Sequence, residues 1–198
     1  SGTETGTDPV AASNTVTIVN PAIAISNSSP AASSHVQGST DIVLNRFDFA
    51  VTSSNATLTG ITVTTAGTYI SADVLNLKVR YSTDATLDGG DATLSTFTTP
   101  GVAGSKTFPS FTSQVITAGT TGYIFITADI SSSATSGNTI SLASTAFSNL
   151  TFSLGNKSGT NPVAAGNTRT FIKAEPTNYP TSFACGTTTS STIPLTWT

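Results

Sequence analysis

Apolar and polar residues alternate one by one along several stretches of this chain. In residues 42–51, Phe47, Phe49 and Val51 fall on one parity, while polar or small residues occupy the other. Residues 75–81 follow the same rule, with leucine, valine and tyrosine alternating against asparagine, lysine and arginine. Because successive side chains of a strand point to opposite faces, this period of two predicts half-buried strands and excludes an amphipathic helix.

The same pattern predicts strands through most of the sequence, separated by short segments rich in Gly, Pro and Asn. The predicted strands are residues 15–19, 22–26, 42–51, 56–65, 75–81, 92–96, 106–111, 122–130, 139–144, 146–154 and 168–172. Residues 27–40 are predicted to be a loop, and residues 131–137 could form one helical turn at most. Residues 122–130 are expected to be buried on both faces, and Gly60 to mark a bulge. Short strands at such regular intervals predict an all-β fold, an immunoglobulin-like antiparallel β-sandwich.

A segment near the start of the chain is repeated near its end. Residues 7–18 (TDPVAASNTVTI) and 160–171 (TNPVAAGNTRTF) are identical at eight of twelve positions, at an offset of 153 residues. The copies share no titratable group, so we interpret the segment as a turn leading into a closing strand. We therefore expect residues 1–18 to be a linker or the closing strand of a preceding unit, and residues 19–172 to form one β-sandwich module.

The sequence changes character after residue 172, where Pro180, Ile193, Leu195 and Trp197 punctuate a Thr-rich tail. A proline-led first strand followed by I-x-L-x-W resembles the opening of a fibronectin type III domain. The resemblance implies that Trp197 is a core residue and that residues 173–198 begin a second, incomplete β domain. Since two strands cannot form a sandwich alone, and the chain contains no methionine, we expect it to be an excerpt of a longer protein.

The main unit resembles the repeated β-sandwich modules of large bacterial secreted and surface proteins. The likeness rests on G-T-x-x-x-x-D-x-x-N-L at residues 67–77, A-G-T-T-G-Y at residues 118–123 and T-A-D-I at residues 127–130. It implies a multi-domain protein outside the cell or on its surface, in which such modules act as spacers or accessories. It carries no catalytic residue with it.

Composition narrows the range of functions. Only 9% of the 198 residues are charged, and the formal net charge is −3. Scattered Lys and Arg residues argue against nucleic-acid binding, and no apolar run approaches the roughly 18 residues of a membrane span. Cys185 and His35 are the only residues of their types, so neither an internal disulfide nor a Cys/His metal cage can form. His35 has no acidic neighbour in the sequence, and both glutamates lie in terminal segments, so we expect no enzymatic activity.

Asp84, Asp88 and Asp91 form the one acidic constellation, with Asp73 upstream. Carboxylates on a Gly-containing loop provide the oxygen ligands that Ca²⁺ prefers, so one interpretation is a calcium site. The spacing is not that of an EF-hand, and Asp88 followed by two glycines also favours a tight hairpin turn. Both interpretations stay open, and apart from calcium we expect no cofactor.

Three functions remain in consideration. The leading hypothesis is a non-catalytic structural or adhesive module whose partners are neighbouring domains of the same chain. The second is a carbohydrate-binding module accessory to a hydrolase, whose candidate stacking residues are Tyr69, Tyr81, Phe97, Phe111 and Tyr179. The third is a filament or pilus-like subunit in which residues 1–18 complete the sheet of another copy by strand addition. The expected location is extracellular or at the cell surface.

Overall fold

The computed structural model describes residues 17–175, 183–185 and 195–197 of the chain. Strands account for 52% of the described residues and helix for 2%, so the predicted all-β class is confirmed. The only helical element among the described residues is a one-turn 3-10 helix, Phe147–Asn149. The strands are β1 Ala22–Ser28, β2 Ser33–Val36, β3 Ile42–Thr52, β4 Ala56–Ala66, β5 Val74–Ser82, β6 Ala92–Thr98, β7 Gly104–Thr107, β8 Gln114–Ile116, β9 Thr121–Ile130, β10 Thr139–Leu142, β11 Leu150–Phe152, β12 Asn156–Gly159, β13 Arg169–Ile172, β14 Phe183–Cys185 and β15 Leu195–Trp197.

Two mixed sheets pack against each other as a β-sandwich. The first sheet has the order β12-β1-β3-β9-β5-β6, and the second has the order β11-β4-β10-β13-β2. In the second sheet, β7 and β8 are also paired with β4. Most neighbours run antiparallel, but β1 with β12 and β2 with β13 run parallel. The expectation of purely antiparallel sheets is wrong at these two pairs. Their members are far apart in sequence, so no tight hairpin forces them to run in opposite directions.

The core lies between the two sheets and contains the side chains that the alternation predicts. Phe47 and Phe49 are fully buried, with parallel rings whose centroids are 6.4 Å apart. Phe152 from the second sheet meets Phe49 edge-on at 5.2 Å, an arrangement that aromatic rings favour. β9 is buried on both faces, as predicted: Ile124 and Ile126 face the core, while Phe125 is only 4% exposed.

Several elements differ from the local pattern. Residues 27–40 contain β2, and residues 146–154 divide into the 3-10 helix and β11 instead of forming one strand. Thr17, Ile18 and Val19, the described part of the first predicted strand, lie outside any strand and are exposed. The missed strands β2, β8 and β12 are only three or four residues long. A short strand of this kind forms because a neighbour offers hydrogen bonds, which its own sequence does not reveal.

Two irregularities depend on the strand pairing. The pairing of β11 with β4 changes register next to Gly60, which confirms the predicted bulge. The pairing of β5 with β9 changes register between Val74 and Asn76. Leu75 has the parity of the buried Leu77 but is 49% exposed, because the irregularity turns it away from the core.

The module carries the chain from one end of the sandwich to the other. The turns after β3, β8 and β11 (residues 53–55, 117–120 and 153–155) gather around Pro21 at one end, termed the proximal pole. The connections before β3, β5, β7 and β10 (residues 37–41, 67–73, 99–103 and 131–138) gather around the end of β13 at the opposite end, termed the distal pole. β4 alone extends about 35 Å between the poles.

Beyond the module, β14 and β15 pair antiparallel, with Phe183 opposite Trp197. The other residues after position 175, like residues 1–16, lie outside the described part of the chain. The predicted second domain therefore stays a prediction, as does its resemblance to fibronectin type III.

Candidate functional site

Ionised side chains concentrate on the outer face of the six-stranded sheet. On β5, Leu77 and Val79 point into the core, so Lys78 and Arg80 point outward. Two carboxylates meet them there: Asp41 lies 3.2 Å from Lys78 and 3.0 Å from Arg80, and Asp129 lies 2.8 Å from Lys78. This four-residue group is termed the outer cluster.

Hydrogen bonds favour the ionised forms of Asp129 and Lys78 despite their partial burial. Burial alone would raise the pKa of Asp129, but hydrogen bonds from Lys78, the Asp41 amide and Asn76 outweigh it, so this pKa lies below its ordinary value. Burial alone would lower the pKa of Lys78, yet its hydrogen bonds to Asp129 and Asp41 raise it. The cluster ties β5, β9 and the start of β3 together at the distal half of the sheet.

Two arginines fasten the acidic connection between β5 and β6 to this face. Arg46 of β3 and Arg80 of β5 both stand opposite Phe125 of β9 in the strand register. Arg80 donates to the carbonyl oxygens of Asp88 and Asp91 at 3.1 and 3.0 Å, and Arg46 donates to that of Ala85 at 2.9 Å. Residues 83–91 therefore fold back toward the outer face, held by their backbone carbonyls.

Arg46 is itself held in place by three neighbours. It pairs with Asp48 through two hydrogen bonds of 2.6 and 2.9 Å and lies 5.2 Å from the ring centre of Tyr123 and 6.0 Å from that of Phe125. The hydrogen bond that Arg46 donates to Asp48 raises the pKa of Arg46 further above its already high value. A guanidinium fixed on two rings and a carboxylate is an ordered anchor for a loop.

The three predicted calcium ligands lie together in that connection, and each one accepts a bond from its own loop. Asp84 accepts from the Thr86 amide at 2.8 Å, Asp88 from the Gly90 amide at 2.7 Å, and Asp91 from the Asp88 amide at 2.8 Å. These are the turn bonds expected of the hairpin interpretation. Within the described residues, no group of three or more His, Cys, Asp and Glu side chains is arranged to hold a metal ion.

The calcium interpretation stays a prediction that one measurement decides. Ca²⁺ bound to the native state would raise the melting temperature. Because the loop carboxylates already accept backbone amides, we expect the melting temperature to be the same in millimolar CaCl₂ and in EDTA. An increase in CaCl₂ that Asp88→Asn abolishes would instead establish a calcium site.

Other cations also bind loop carbonyls rather than solvent. Lys106 donates to the carbonyls of Pro100 and Val102 at 2.6 and 2.7 Å. Lys157 donates to those of Phe147 and Leu150 at 2.6 and 2.7 Å, and burial lowers its pKa. The predictions from sequence missed both roles, because the acceptors are backbone carbonyls, which no pattern of charge along the chain identifies.

Arg169 is the most deeply buried of these cations, at 1% exposure. Its guanidinium donates to the carbonyls of Val43 at 2.9 Å and Pro30 at 2.9 Å, and also to that of Ala31. Burial lowers its pKa. Arg169 has the parity of the buried Phe171 in β13, so alternation already indicates that it points inward, although it does not identify the acceptors.

His35 lies beside Arg169 in a shallow groove of about 440 Å³ that Asp41 also lines. Its Nε2 is 2.9 Å from the hydroxyl of Ser33, and burial, helped by the positive charge of Arg169, lowers its pKa. Asp41 does not orient the imidazole, because its carboxylate accepts from Lys78, Arg80 and Thr127. The geometry is that of an edge strand fastened to its neighbour, and the absence of enzymatic activity stays a prediction.

The aromatic residues proposed for sugar stacking are packed against the core where the structure describes them. Tyr69 is 3% exposed, and its hydroxyl is 2.6 Å from that of Thr65. Tyr81, Phe97 and Phe111 are partly buried against the same core. Tyr179 lies outside the described residues. These side chains lend no support to a sugar-binding platform, and the carbohydrate-binding alternative stays a prediction.

Comparison with known proteins adds no family. No protein-family model matches this chain, and no curated protein matches it. Among the helices of the described residues, none is long and apolar enough to cross a membrane. The module's own geometry and its internal repeat are therefore the features that indicate a function.

Proposed function

We propose that this chain is a non-catalytic structural module that spaces other domains in a tandem array, within a secreted or cell-surface bacterial protein. One observation carries the proposal. Residues 7–18 repeat the segment that ends in β13, and Ile18 occupies the position of Phe171. Phe171 is fully buried between the sheets, whereas Ile18 is 88% exposed. A closing strand whose apolar residue finds no core in this module belongs to another unit of the same kind.

The route of the chain through the module suits a spacer. The chain enters at the proximal pole and leaves β13 at the distal pole, so each added unit extends the protein by about 35 Å or more. Lys106 holds the connection of residues 99–103 at the distal pole through two backbone carbonyls. Any binding or catalytic activity of such a protein would reside in other domains.

The filament alternative would require a vacant position in the acceptor sheet. The equivalent position is filled here, because β13 is hydrogen-bonded between β10 and β2. A neighbour could accept residues 7–18 only by releasing its own β13. The spacer hypothesis does not require any unit to release its β13.

Hydrogen exchange tests the proposal. The chain should be expressed with the roughly 150 residues encoded immediately upstream, which is one unit at the offset of the repeat. We expect the amides of Thr17 and Ile18 to exchange fast in the present chain and slowly in the extended one. The amide of Phe171, which donates to Asn138 at 2.8 Å, is the internal control and should be slow in both. Fast exchange of Ile18 in the extended chain would refute the proposal.

A further inference from the structure

The repeat leaves no free linker between this module and the unit that would precede it. β13 corresponds to residues 16–19, so Val19 occupies the position of Ile172, the last residue of the closing strand. The carbonyl of Val19 already accepts a hydrogen bond of 2.8 Å from the hydroxyl of Ser54. Because consecutive Cα atoms are about 3.8 Å apart, a closing strand that ends at Val19 lies within one residue of this module. The closing strand of one unit therefore ends on the surface of the next.

The residues that follow Val19 are also fixed to the proximal pole. Pro21 is buried, and its carbonyl accepts from the amide of Asn156 at 2.8 Å. A Cβ on Gly155 would come within 2.7 Å of Ile23 and 3.2 Å of the Pro21 oxygen, so the turn of residues 153–155 lies directly against the start of β1. The junction has no segment that could act as a hinge.

Both poles present apolar side chains to solvent. Val19 and Leu154 at the proximal pole are 52% and 62% exposed. At the distal pole, Ile70 and Val102 are 50% and 58% exposed, while Ile172 there is the counterpart of Val19 in the repeat. In an array, the distal pole of one unit faces the proximal pole of the next, so these two sets are brought together. Exposed apolar groups that cluster where a covalent neighbour must lie mark an interface.

We infer that the preceding unit packs its distal pole directly onto the proximal pole of this module, around Val19 and Leu154, and that the array is a stiff rod. The inference rests on the proposed spacer function and specifies the partner, a unit of the same fold on the same chain. Such packing is a head-to-tail contact that repeats along an array.

A duplicated chain tests the inference, because it supplies the preceding unit by design. Residues 1–172 are followed directly by residues 20–198, which reproduces the spacing of the repeat. With Cys185→Ser, and Thr96→Cys in each copy carrying a nitroxide, pulsed electron paramagnetic resonance measures the distance between the two units. We expect one distance distribution, about twofold narrower than in a variant with about ten Gly and Ser residues inserted at the junction.

The same substitution in either copy provides a matched control. Leu154→Ser in the downstream copy should broaden the distribution, whereas in the upstream copy, where Leu154 faces no unit, it should not. Equal widths with and without the insertion would overturn the rod but leave the spacer function intact. A duplicated chain that melts with only one folded copy would overturn both.

Discussion

The few cations of this chain act mainly as donors to backbone carbonyls. Strands satisfy their own backbone groups, but loops at the ends of a sandwich leave carbonyls that need donors. Lys106, Lys157 and Arg169 each bind two or more backbone carbonyl oxygens, several of them in loops. A sequence with 9% charged residues therefore uses its charges for loop structure more than for solubility.

Arg169→Met should destabilise the module by about 3 kcal/mol, because the hydrogen bonds from a buried guanidinium to three backbone carbonyls are lost while the side-chain volume is nearly kept. The stability of Arg169→Lys should lie between that of the parent and that of Arg169→Met, since an ammonium group cannot reproduce the guanidinium fork. Urea unfolding measures both. The exposed Lys173→Met is the control and should leave the midpoint unchanged; an equal effect of the two methionine variants would contradict the assignment.

Gly67 is the first residue of the G-T-x-x-x-x-D motif, and its surroundings explain why a glycine stands there. It has φ +118°, and a Cβ there would overlap the carbonyl oxygen of Thr139. Gly67→Ala should therefore lower the free energy of unfolding by about 3 kcal/mol, since alanine disfavours the positive φ and its methyl group would overlap Thr139. Gly101→Ala is the matched control. Gly101 has φ +73° and no neighbour within 4 Å, so only the conformational cost of about 1 kcal/mol remains. Thermal denaturation of both variants would separate the two terms, and equal losses would disprove the overlap.

At the scale of elements, the connection of residues 83–91 is ordered by side chains of other strands. Arg80→Gln removes the donors to the Asp88 and Asp91 carbonyls and breaks the pair with Asp41. We expect the amides of residues 84–91 to exchange about tenfold faster and the module to lose about 1–3 kcal/mol. Hydrogen exchange followed by mass spectrometry gives the first value, and urea unfolding the second.

Arg46→Gln provides the comparison for this loop. Arg46 binds only the Ala85 carbonyl there and is more exposed than Arg80. Its substitution should therefore loosen the first half of the connection and cost less stability. If neither variant shows faster amide exchange at residues 84–91, the loop is held by its own turn bonds alone.

The long strands were predictable, whereas the short strands β2, β8 and β12 were not. β3 and β4, with eleven residues each, show enough alternation to be recognised locally. β2 and β12 lie at sheet edges and have mostly exposed side chains, so no apolar pattern marks them. Their partners β13 and β1 are more than 100 residues away, and only the folded chain brings them together.

At the scale of the whole molecule, acid should weaken the fold through its buried carboxylates. Asp73 is fully buried and accepts from the amides of Ile70 and Thr135 and from Asn138. Burial alone would raise the pKa of Asp73, but these bonds outweigh it, so the folded-state pKa lies below the unfolded value. The stabilisation is therefore complete above about pH 4 and is lost as the pH falls through the folded-state pKa.

Asp73→Asn should lower the free energy of unfolding at pH 7 by about 2 kcal/mol and flatten its decline below about pH 4. Asn138→Ala removes one of the donors and should flatten the decline partly. Urea unfolding at a series of pH values measures both slopes. A decline in Asp73→Asn as steep as in the parent would assign the acid sensitivity to other carboxylates, Asp129 first.

The all-β class, the inward face of β3, the burial of β9, the bulge at Gly60 and the repeat of residues 7–18 at 160–171 all follow from the amino-acid sequence alone. These are local properties, since the parity of a strand and the identity of a segment can be read without knowing its neighbours. The folded chain was needed to show that β1 and β2 have parallel partners, that Arg46 and Arg80 hold the acidic loop, and that the chain crosses from pole to pole. Those features depend on hydrogen bonds between residues far apart in the chain, and their partners are chosen when the two sheets come together.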